Sequence, residues 1–526
     1  MKRANWATWA TVLGAVLSST AWAAEGNPLG ERPATVLLIT SPELAAGWQP
    51  FADWKTRQGK STRIVTTAEI AEGYEGADLQ AKIRACVQAH VAGSETRWVI
   101  LGGDSLPGGK GTVPDRDTKH RLHGGRLSYD DIPTDLYYVT KQSWDQNGDG
   151  TFGDWPRDKA AMDYASLAAI GRIPVRSAAE VAAYTAKVVA YESRYATDKA
   201  AKTFLYTNAV PQANYKSDLL WDRQLGPAWK GSAIQRFFVN QSPWSKPQRY
   251  PLSPQNWVER VNGGEASKMH MHGHGFLPGW VLERHQLVDG GAVSRLRNET
   301  PLLMTTVSCF TGQFDSAKDP AITESMLRHA KGGAVAIVAP AREGVPVFHG
   351  RGNDPRDGKT QDGTTRLLTR YWVQGLTKNL TTGEALAAAK AELGSDAKNN
   401  HGYHWVLCEL NLLGDPTLDM RAEAPVPLEV QAPARLAAGQ QTVTIKTGRP
   451  GVTVCLWQGE TTYVVVTTDA EGLARIEADA LAGEMLLTLS GPSLNTLSLT
   501  LQVGAASLKK TPSGNSGDRW FAPRFR

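Results

Sequence analysis

The chain has 526 residues, of which 41% are hydrophobic and 21% are charged, so it has a globular composition and is too long for a single core. Its formal net charge of +5 is concentrated at the two ends. Lys2 and Arg3 carry +2 and residues 504–526 carry +4, which leaves −1 for the residues between them. The body of the protein therefore lacks the basic character of a nucleic-acid-binding protein, and no nucleic-acid partner is expected.

Residues 1–23 have the features of a secretory signal peptide. Two basic residues precede an apolar stretch, which ends in the small-x-small sequence Ala21-Trp22-Ala23. No later segment is a long uncharged apolar run, so no transmembrane anchor is expected. We therefore predict a protein that is exported, either to a periplasm or out of the cell.

Residues 24–425 alternate short apolar strands with amphipathic helices. The runs "ATVLLIT" at 34–40 and "RWVILGGD" at 97–104 are typical of buried strands, and "LQAKIRACVQAHV" between them has helical periodicity. This alternation predicts an α/β fold with mostly parallel sheets. A Gly/Pro/Asp-rich stretch interrupts it, and we divide the region into an N-terminal α/β subdomain, 24–197, and a second α/β subdomain, 198–425.

The pattern changes after residue 425. Residues 426–504 alternate β-branched and polar residues, with turn signals at Gly448, Gly459 and Gly472, which predicts a small Ig-like β-sandwich. The remaining residues, 505–526, are rich in Gly, Ser and basic residues and are predicted to form a flexible basic tail.

The stretch "DQNGDGTFGD" resembles the first half of an EF-hand calcium loop, with alternating oxygen ligands and a sharp turn at Gly150. The predicted ligands are Asp145, Asn147, Asp149, Thr151 and Asp154. Pro156 occupies the position of the usual bidentate Glu, so Asp154 or Asp158 would have to replace it. A plain Asn/Gly turn is an equal alternative. Calcium, in a structural role, is the only cofactor expected, and none is required for catalysis.

Three histidines alternate in "KMHMHGHGFLPGW" at 268–280: His270, His272 and His274. Alternate residues of a strand share a face, so a metal could contact all three. Gly273 and Gly275 indicate instead a turning chain whose backbone approaches a neighbour closely. For His270 and His272 we favour packing over zinc binding.

Cys309 lies in "TTVSCFTGQFD", directly after an apolar strand and before a turn. A thiol at the carboxyl end of a parallel strand is where α/β proteins place their sites, although a lone buried cysteine is more often a small hydrophobe. Neighbouring parallel strands would bring Cys309 and His274 to one sheet edge. The other cysteines are Cys86, Cys408 and Cys455, too few for a disulfide scaffold.

These two stretches, followed by "GGAVAIVAP", resemble the gingipain-like family of cysteine peptidases. That family carries His-Gly at one strand end, a Trp six residues after the His, and a Cys followed three residues on by Gly. The matching residues are His274, Gly275, Trp280, Cys309 and Gly312. Further blocks, among them "GRIPV" and "LLGDP", extend the similarity over about 34–505. The resemblance implies a caspase-like fold with the catalytic dyad in the second subdomain.

The resemblance also implies the chemistry. Cys309 would be the nucleophile that forms a thioester acyl-enzyme, and His274 would activate it and protonate the leaving amine. The backbone amides of Gly275 and Cys309 would stabilise the oxyanion. Trp280 would contribute to the substrate-binding surface.

In arginine-cleaving members an Asp at the start of a helix fills the primary specificity pocket. Asp218 has the matching position in "YKSDLLWDRQL", with Asp222 as an alternative, and this predicts Arg, or Lys, before the scissile bond. An ordinary acidic residue in the first turn of a helix is the competing interpretation. Some members carry an acidic residue at the preceding strand end, where this chain has Thr207 and Asn208, so a residue that orients the base is not assured.

The leading hypothesis is thus an exported cysteine endopeptidase that acts on proteins or peptides. The alternatives are a metal-dependent hydrolase at the three histidines, a non-catalytic binding or processing protein, and a transpeptidase of the same fold. The sequence leaves the oligomeric state open.

Overall fold

The computed structural model describes residues 33–93, 95–122, 127–155, 157–193, 198–209, 225–229, 233–238, 249–282, 286–318, 320–345, 363–459, 461–504 and 520–521. The predicted signal peptide, Asp218, Asp222 and most of the predicted tail lie outside these residues.

The first part of the chain forms, in its described residues, eight strands and four helices. The strands are β1 (Val36–Thr40), β2 (Thr62–Thr66), β3 (Trp98–Gly102), β4 (Ser105–Leu106), β5 (Lys110–Gly111), β6 (Arg116–Leu122), β7 (Leu127–Thr134) and β8 (Ala169–Ile173). The helices are α1 (Pro42–Arg57), α2 (Thr67–Gly73), α3 (Leu79–Gly93) and α4 (Ala178–Ser193), with 3₁₀ turns at Leu136–Val139 and Lys159–Ala161. The Gly/Pro/Asp-rich stretch contains two antiparallel hairpins, β4–β5 and β6–β7.

The second part continues the alternation. Its strands are β9 (Thr203–Asn208), β10 (Ala233–Phe238), β11 (Arg249–Pro251), β12 (Lys268–His272), β13 (Gly275–Phe276), β14 (Gly279–Val281), β15 (Leu287–Asp289), β16 (Leu302–Thr306), β17 (Ala334–Pro340) and β18 (Leu410–Gly414). Its helices are α5 (Asp198–Ala201), α6 (Pro254–Asn262), α7 (Gly290–Val293), α8 (Ile322–Arg328), α9 (Gly363–Lys378), α10 (Thr382–Asn399) and α11 (His401–Glu409).

One eleven-stranded sheet joins the two parts, in the order β11-β10-β9-β12-β16-β17-β18-β8-β3-β1-β2. Within the described strands every neighbouring pair is parallel except β17–β18, so the predicted α/β fold with a mostly parallel sheet is confirmed. The two predicted subdomains do not have separate sheets, because β18 bridges them by pairing Leu413 with Arg172. Strand β18 runs antiparallel to β17 because α11 ends at the carboxyl edge of β17, where Ala341 donates its amide to the Glu409 carbonyl at 3.1 Å.

Most strands at the centre of this sheet are buried along their whole length, as their apolar sequences predict. All residues of β3, β12, β16, β17 and β18 are buried. The largest fully buried side chains that pack around them include Trp48, Trp372 and Trp405. No helix in the described part of the chain has both the length and the apolar character that crossing a membrane requires.

The last part of the chain is built from strands, as predicted. They are β19 (Ala432–Pro433), β20 (Arg435–Ala437), β21 (Gly439–Lys446), β22 (Thr453–Gln458), β23 (Thr462–Thr467), β24 (Leu473–Ala480), β25 (Gly483–Ser490), β26 (Leu497–Gly504) and β27 (Trp520–Phe521). Strands β20, β26, β25, β22 and β23 form one sheet, and the pair β21–β24 alternates buried with exposed residues over a separate core. The Ig-like assignment stays a prediction. Two residues of the predicted flexible tail, Trp520 and Phe521, instead pair with β19, as aromatic residues readily do in strands.

Candidate active site

His274 and Cys309 follow two neighbouring parallel strands. Strand β12 ends at His272 and β16 at Thr306, and Met271 lies opposite Thr306 in the register of the pair. The amide of Val307 continues the pairing by donating to the Met271 carbonyl at 3.2 Å. Both segments therefore leave the sheet at the same carboxyl edge, where the sequence predicts them to meet.

Gly275 lies directly against the turn that carries Cys309. A Cβ atom at Gly275 would be 2.6 Å from Cβ of Ser308, 2.7 Å from Cγ2 of Thr311 and 3.0 Å from the Cys309 carbonyl oxygen. These separations are shorter than ordinary contacts, so any larger residue would push the two segments apart. The glycine after His274 thus lets its backbone approach the turn at Cys309.

The loop after β17 holds Cys309 from the other side. Phe310, which has a left-handed φ of 59°, donates its amide to the Arg342 carbonyl at 2.7 Å. Gly344 packs so closely on Val307 that a Cβ atom would clash with the Val307 carbonyl oxygen. The Cys309 thiol has the Gly344 carbonyl as its partner, with Sγ and O 3.9 Å apart. Cys309 is therefore held between Gly275 and Gly344.

The surroundings of Cys309 favour the neutral thiol. Its pKa is raised to about 11, mainly by burial and then by the nearby charges of Glu409 and Glu343, while its contact with the Gly344 backbone partly opposes this. His274 is exposed, and its imidazole makes no hydrogen bond to any described residue. The resting thiol and imidazole are thus neighbours along the sheet edge without a hydrogen bond between them.

Glu409 is a buried acid that the sequence analysis missed. It ends α11 with no exposed surface, and neither carboxylate oxygen has a hydrogen bond of normal geometry within the described residues. Burial, and then the charge of Glu343, raises its pKa well above the ordinary value. The Trp405 indole and the Arg342 amide lower this pKa in part, although Trp405 donates its indole N–H to the Glu343 carbonyl at 3.0 Å.

Glu343 is half-buried near Glu409. It accepts a hydrogen bond from the Tyr129 hydroxyl at 2.6 Å, so the β6–β7 hairpin also contacts the loop beside Cys309. No local motif could have revealed Glu343 or Glu409, because the elements that carry them lie far from Cys309 in the sequence.

His270 and His272 are buried inside the sheet. Nδ1 of His270 shares a hydrogen bond with the Thr305 hydroxyl at 2.9 Å, and its ring stacks on Tyr206 with centroids 5.4 Å apart. Burial lowers the pKa of His272 to about 3 and that of His270 well below the ordinary value. In the described part of the chain, His270, His272 and His274 do not come together as a group of three metal ligands, so this geometry gives the metal-hydrolase hypothesis no support.

Trp280 requires a correction. It has no exposed surface, donates its indole N–H to the Thr306 hydroxyl at 3.1 Å, and lies beside Trp257 with ring centroids 6.1 Å apart. It pairs with Gly275 across β13–β14, and because it is fully buried it offers no surface to a substrate. Next to β12, strand β9 ends at Asn208, opposite His272, so this strand end carries an amide.

In the predicted calcium loop, backbone amides donate hydrogen bonds to carboxylates of the same loop. The Asp145 carboxylate accepts the amides of Asp149 at 3.1 Å and Gly150 at 3.0 Å. The Asp158 carboxylate accepts the amide of Asp154 at 2.9 Å, and burial raises its pKa. Of the two acids considered for the missing ligand, Asp158 is thus the one that binds back into the loop. Calcium binding at this loop stays a prediction.

None of the four cysteines forms a disulfide, and only Cys309 is partly exposed: Cys86, Cys408 and Cys455 are buried. The predicted specificity residue Asp218 and its alternative Asp222 lie outside the described residues.

Known proteins resemble this chain in sequence and in fold. Residues 30–421 match the sequence profile of peptidase family C25. Gingipain R2 from two strains of Porphyromonas gingivalis is 20% and 21% identical to this chain over 479 residues, which are 89% of the chain and 57% of gingipain R2. The chain therefore spans a little over half the length of these relatives.

Solved structures show the same fold. The Arg-specific cysteine proteinase gingipain R has a TM-score of 0.65 at 19% identity, covering 91% of this chain and 100% of that one. The complex of RgpB pro- and mature domains from Porphyromonas gingivalis has a TM-score of 0.64 at 19% identity, covering 89% and 100%. The fold and the family profile place the protein among the cysteine-type peptidases. The chain belongs to peptidase family C25.

Proposed function

We propose that the protein is an exported cysteine endopeptidase with Cys309 as its nucleophile and His274 as its general base. The observation that carries this proposal is the position of Cys309, held between Gly275 and Gly344 at the end of β16, with an exposed imidazole at the end of the neighbouring strand. A thiol and an imidazole at adjoining strand ends are the groups that thioester chemistry needs.

The neutral state of Cys309 determines how the reaction would begin. Because its pKa is raised to about 11, little thiolate exists at neutral pH, and the proton has to leave as the sulfur attacks the scissile carbonyl. Rotation of the exposed His274 side chain would bring a ring nitrogen to the thiol. The imidazolium then protonates the leaving amine, and water attacks the thioester in the second half of the reaction.

The oxyanion would be stabilised by backbone amides. The Cys309 amide is not donated to any backbone carbonyl in the described turns and loops, so apart from a contact with its own sulfur it is available to a substrate oxygen. The amide of Gly275 is the second donor in this proposal, since Gly275 packs on the Cys309 turn. Donors fixed in this way stabilise a developing negative charge without further reorganisation.

The proposed substrate has Arg, or more weakly Lys, before the scissile bond. The support is the position of Asp218 in the sequence and the fold shared with an Arg-specific proteinase. A guanidinium can satisfy a carboxylate with two hydrogen bonds, which an ammonium cannot.

Export is supported by the signal-peptide features of residues 1–23. We also propose a structural calcium ion at Asp145, Asn147, Asp149, Thr151 and Asp154, and chelation should then lower the melting temperature.

The direct test is hydrolysis of a fluorogenic Arg peptide by Cys309→Ala, with Cys86→Ala as the matched control. We expect Cys309→Ala to lose activity by at least about a thousandfold, because no other group can form the acyl-enzyme. Cys86→Ala should keep its activity, since Cys86 is buried beside α2 and away from this edge. Equal turnover by both variants would remove Cys309 from the mechanism.

A further inference from the structure

A second group of histidines and a cysteine lies in the core, on elements other than those that carry His274 and Cys309. His120 comes from β6, and His404 and Cys408 come from successive turns of α11. One ring nitrogen of each histidine and the cysteine sulfur lie within 4.8 Å of one another, and all three residues are buried. In the described part of the chain this is the only group of three such ligands.

The hydrogen bonds around the two rings define their tautomers. The Thr118 hydroxyl donates its proton to the Ile132 carbonyl at 3.0 Å, so its 3.0 Å contact with His120 must be donated by Nε2 of the ring. The Gly153 carbonyl can only accept, so Nε2 of His404 donates to it at 3.0 Å. Both rings are buried, and within the described residues neither is hydrogen-bonded to a carboxylate that would stabilise the charged form, so both are neutral. Nδ1 of each ring therefore carries a lone pair.

This arrangement matches the outer surroundings of a metal-bound histidine, whose second nitrogen donates to a fixed acceptor while the first faces the ion. Nδ1 of His404 is 3.7 Å from Sγ of Cys408. Tetrahedral zinc, with bonds of about 2.0 Å to nitrogen and about 2.3 Å to sulfur, places such atoms about 3.5 Å apart. The Tyr164 hydroxyl donates to the same Nδ1 at 2.8 Å, so a bound ion would replace this hydrogen bond, and the hydroxyl oxygen is a fourth polar atom of the group.

We propose that His120, His404 and Cys408 bind a structural zinc ion, with the Tyr164 hydroxyl or water in the fourth position. A borderline-soft cation suits this nitrogen and sulfur set, whereas calcium and magnesium prefer oxygen ligands. The thiol would release its proton on binding. The two rings are tilted by 31° with centroids 4.0 Å apart, so they must spread slightly around the ion.

The position of the group indicates what the ion would do. It would connect the β6–β7 hairpin and the segment at Gly153 to α11. The same helix carries Trp405, whose indole N–H donates to the Glu343 carbonyl in the loop beside the Cys309 turn. The ion would therefore stabilise α11, which holds the loop beside Cys309 through Trp405, and would take no part in the reaction.

The test is the metal content of the purified full-length protein, measured by inductively coupled plasma mass spectrometry. We expect about one zinc ion per chain, lost in Cys408→Ser and in His120→Asn. Cys86→Ser is the matched control, because Cys86 is also a buried free cysteine, and it should keep the metal. Cys309→Ala should keep it as well, which separates this proposal from the proposed function.

Cobalt substitution of the wild-type protein keeps the proposal testable if those variants do not fold. Cobalt(II) bound to Cys408 should give a thiolate charge-transfer band and tetrahedral visible bands. Wild-type protein refolded with excess zinc that binds no zinc, or a cobalt spectrum without the thiolate band, would overturn the proposal. One copper ion per chain in place of zinc would overturn the choice of metal.

Discussion

The two histidine groups of this protein differ in how spacing along the sequence relates to proximity in the structure. His270, His272 and His274 are close in the sequence, yet two are buried in β12 and the third is exposed beyond its end. His120 and His404 are far apart in the sequence, yet their rings are in contact, with centroids 4.0 Å apart. Strand periodicity decides which side chains share a face, but convergence on one point requires side chains from different elements.

The largest expected effect separates His274 from its neighbours in the run. His274→Ala should lower kcat/KM for an Arg peptide by about a thousandfold, because general-base catalysis contributes about 10²–10⁴-fold. His270→Asn and His272→Gln should change kcat little, since both rings are buried and neutral. A His272→Gln variant as inactive as His274→Ala, yet equally stable to heat, would contradict the division of roles within the run.

The fold and the candidate active site could be predicted only in part from the sequence. The parallel strands and their shared edge follow from apolar runs that end in turn residues, which are local signals. The antiparallel β18 and the bridge between Leu413 and Arg172 depend on where α11 delivers the chain. Glu409 was missed for the same reason, because its proximity to Cys309 is created by tertiary packing.

The next prediction concerns stability at acid pH, and it tests the buried His272. The pKa of His272 is about 3 in the folded protein, below the ordinary value of 6.5, so the unfolded chain binds an additional proton between these values. The contribution of neutral His272 to the unfolding free energy is therefore fully present above about pH 6.5. It is lost as the pH falls towards 3, by about 1.4 kcal/mol per pH unit. His272→Gln should flatten the pH dependence of the unfolding free energy measured by urea titration. An unchanged slope would contradict a buried neutral His272.

A smaller effect is expected from Gly275→Ala. The added Cβ would lie 2.6 Å from Cβ of Ser308, which displaces the segment that positions His274. A displacement of about 1 Å can cost about a hundredfold in rate, so kcat should fall by about ten- to a hundredfold. Gly290→Ala is the matched control, because a Cβ there meets no atom within 4 Å. Equal kcat values for the two variants would show that the close approach has no catalytic role.

The smallest effect concerns the acids beside the thiol. Because the pKa of Cys309 is about 11, its alkylation by iodoacetamide should accelerate about tenfold per pH unit through the neutral range. Glu409→Gln removes one of the charges that raise this pKa, so alkylation at alkaline pH should be a few-fold faster. The difference should shrink at lower pH, where the carboxyl is already protonated, and Glu471→Gln on the surface should have no effect. Slower alkylation of Cys309 in Glu409→Gln would contradict the conclusion that Glu409 raises the pKa of Cys309.

The central claim is that Cys309 is the nucleophile, and the most direct test is to find which residue an active-site reagent labels. Wild-type protein should be treated with a peptidyl-arginine chloromethylketone and digested, and the modified peptides identified by mass spectrometry. The predicted result is one label, on Cys309, that increases in proportion to the loss of activity, while the buried Cys86, Cys408 and Cys455 stay unmodified. Full labelling of Cys309 with activity retained, or inactivation with the label on another residue, would contradict the account.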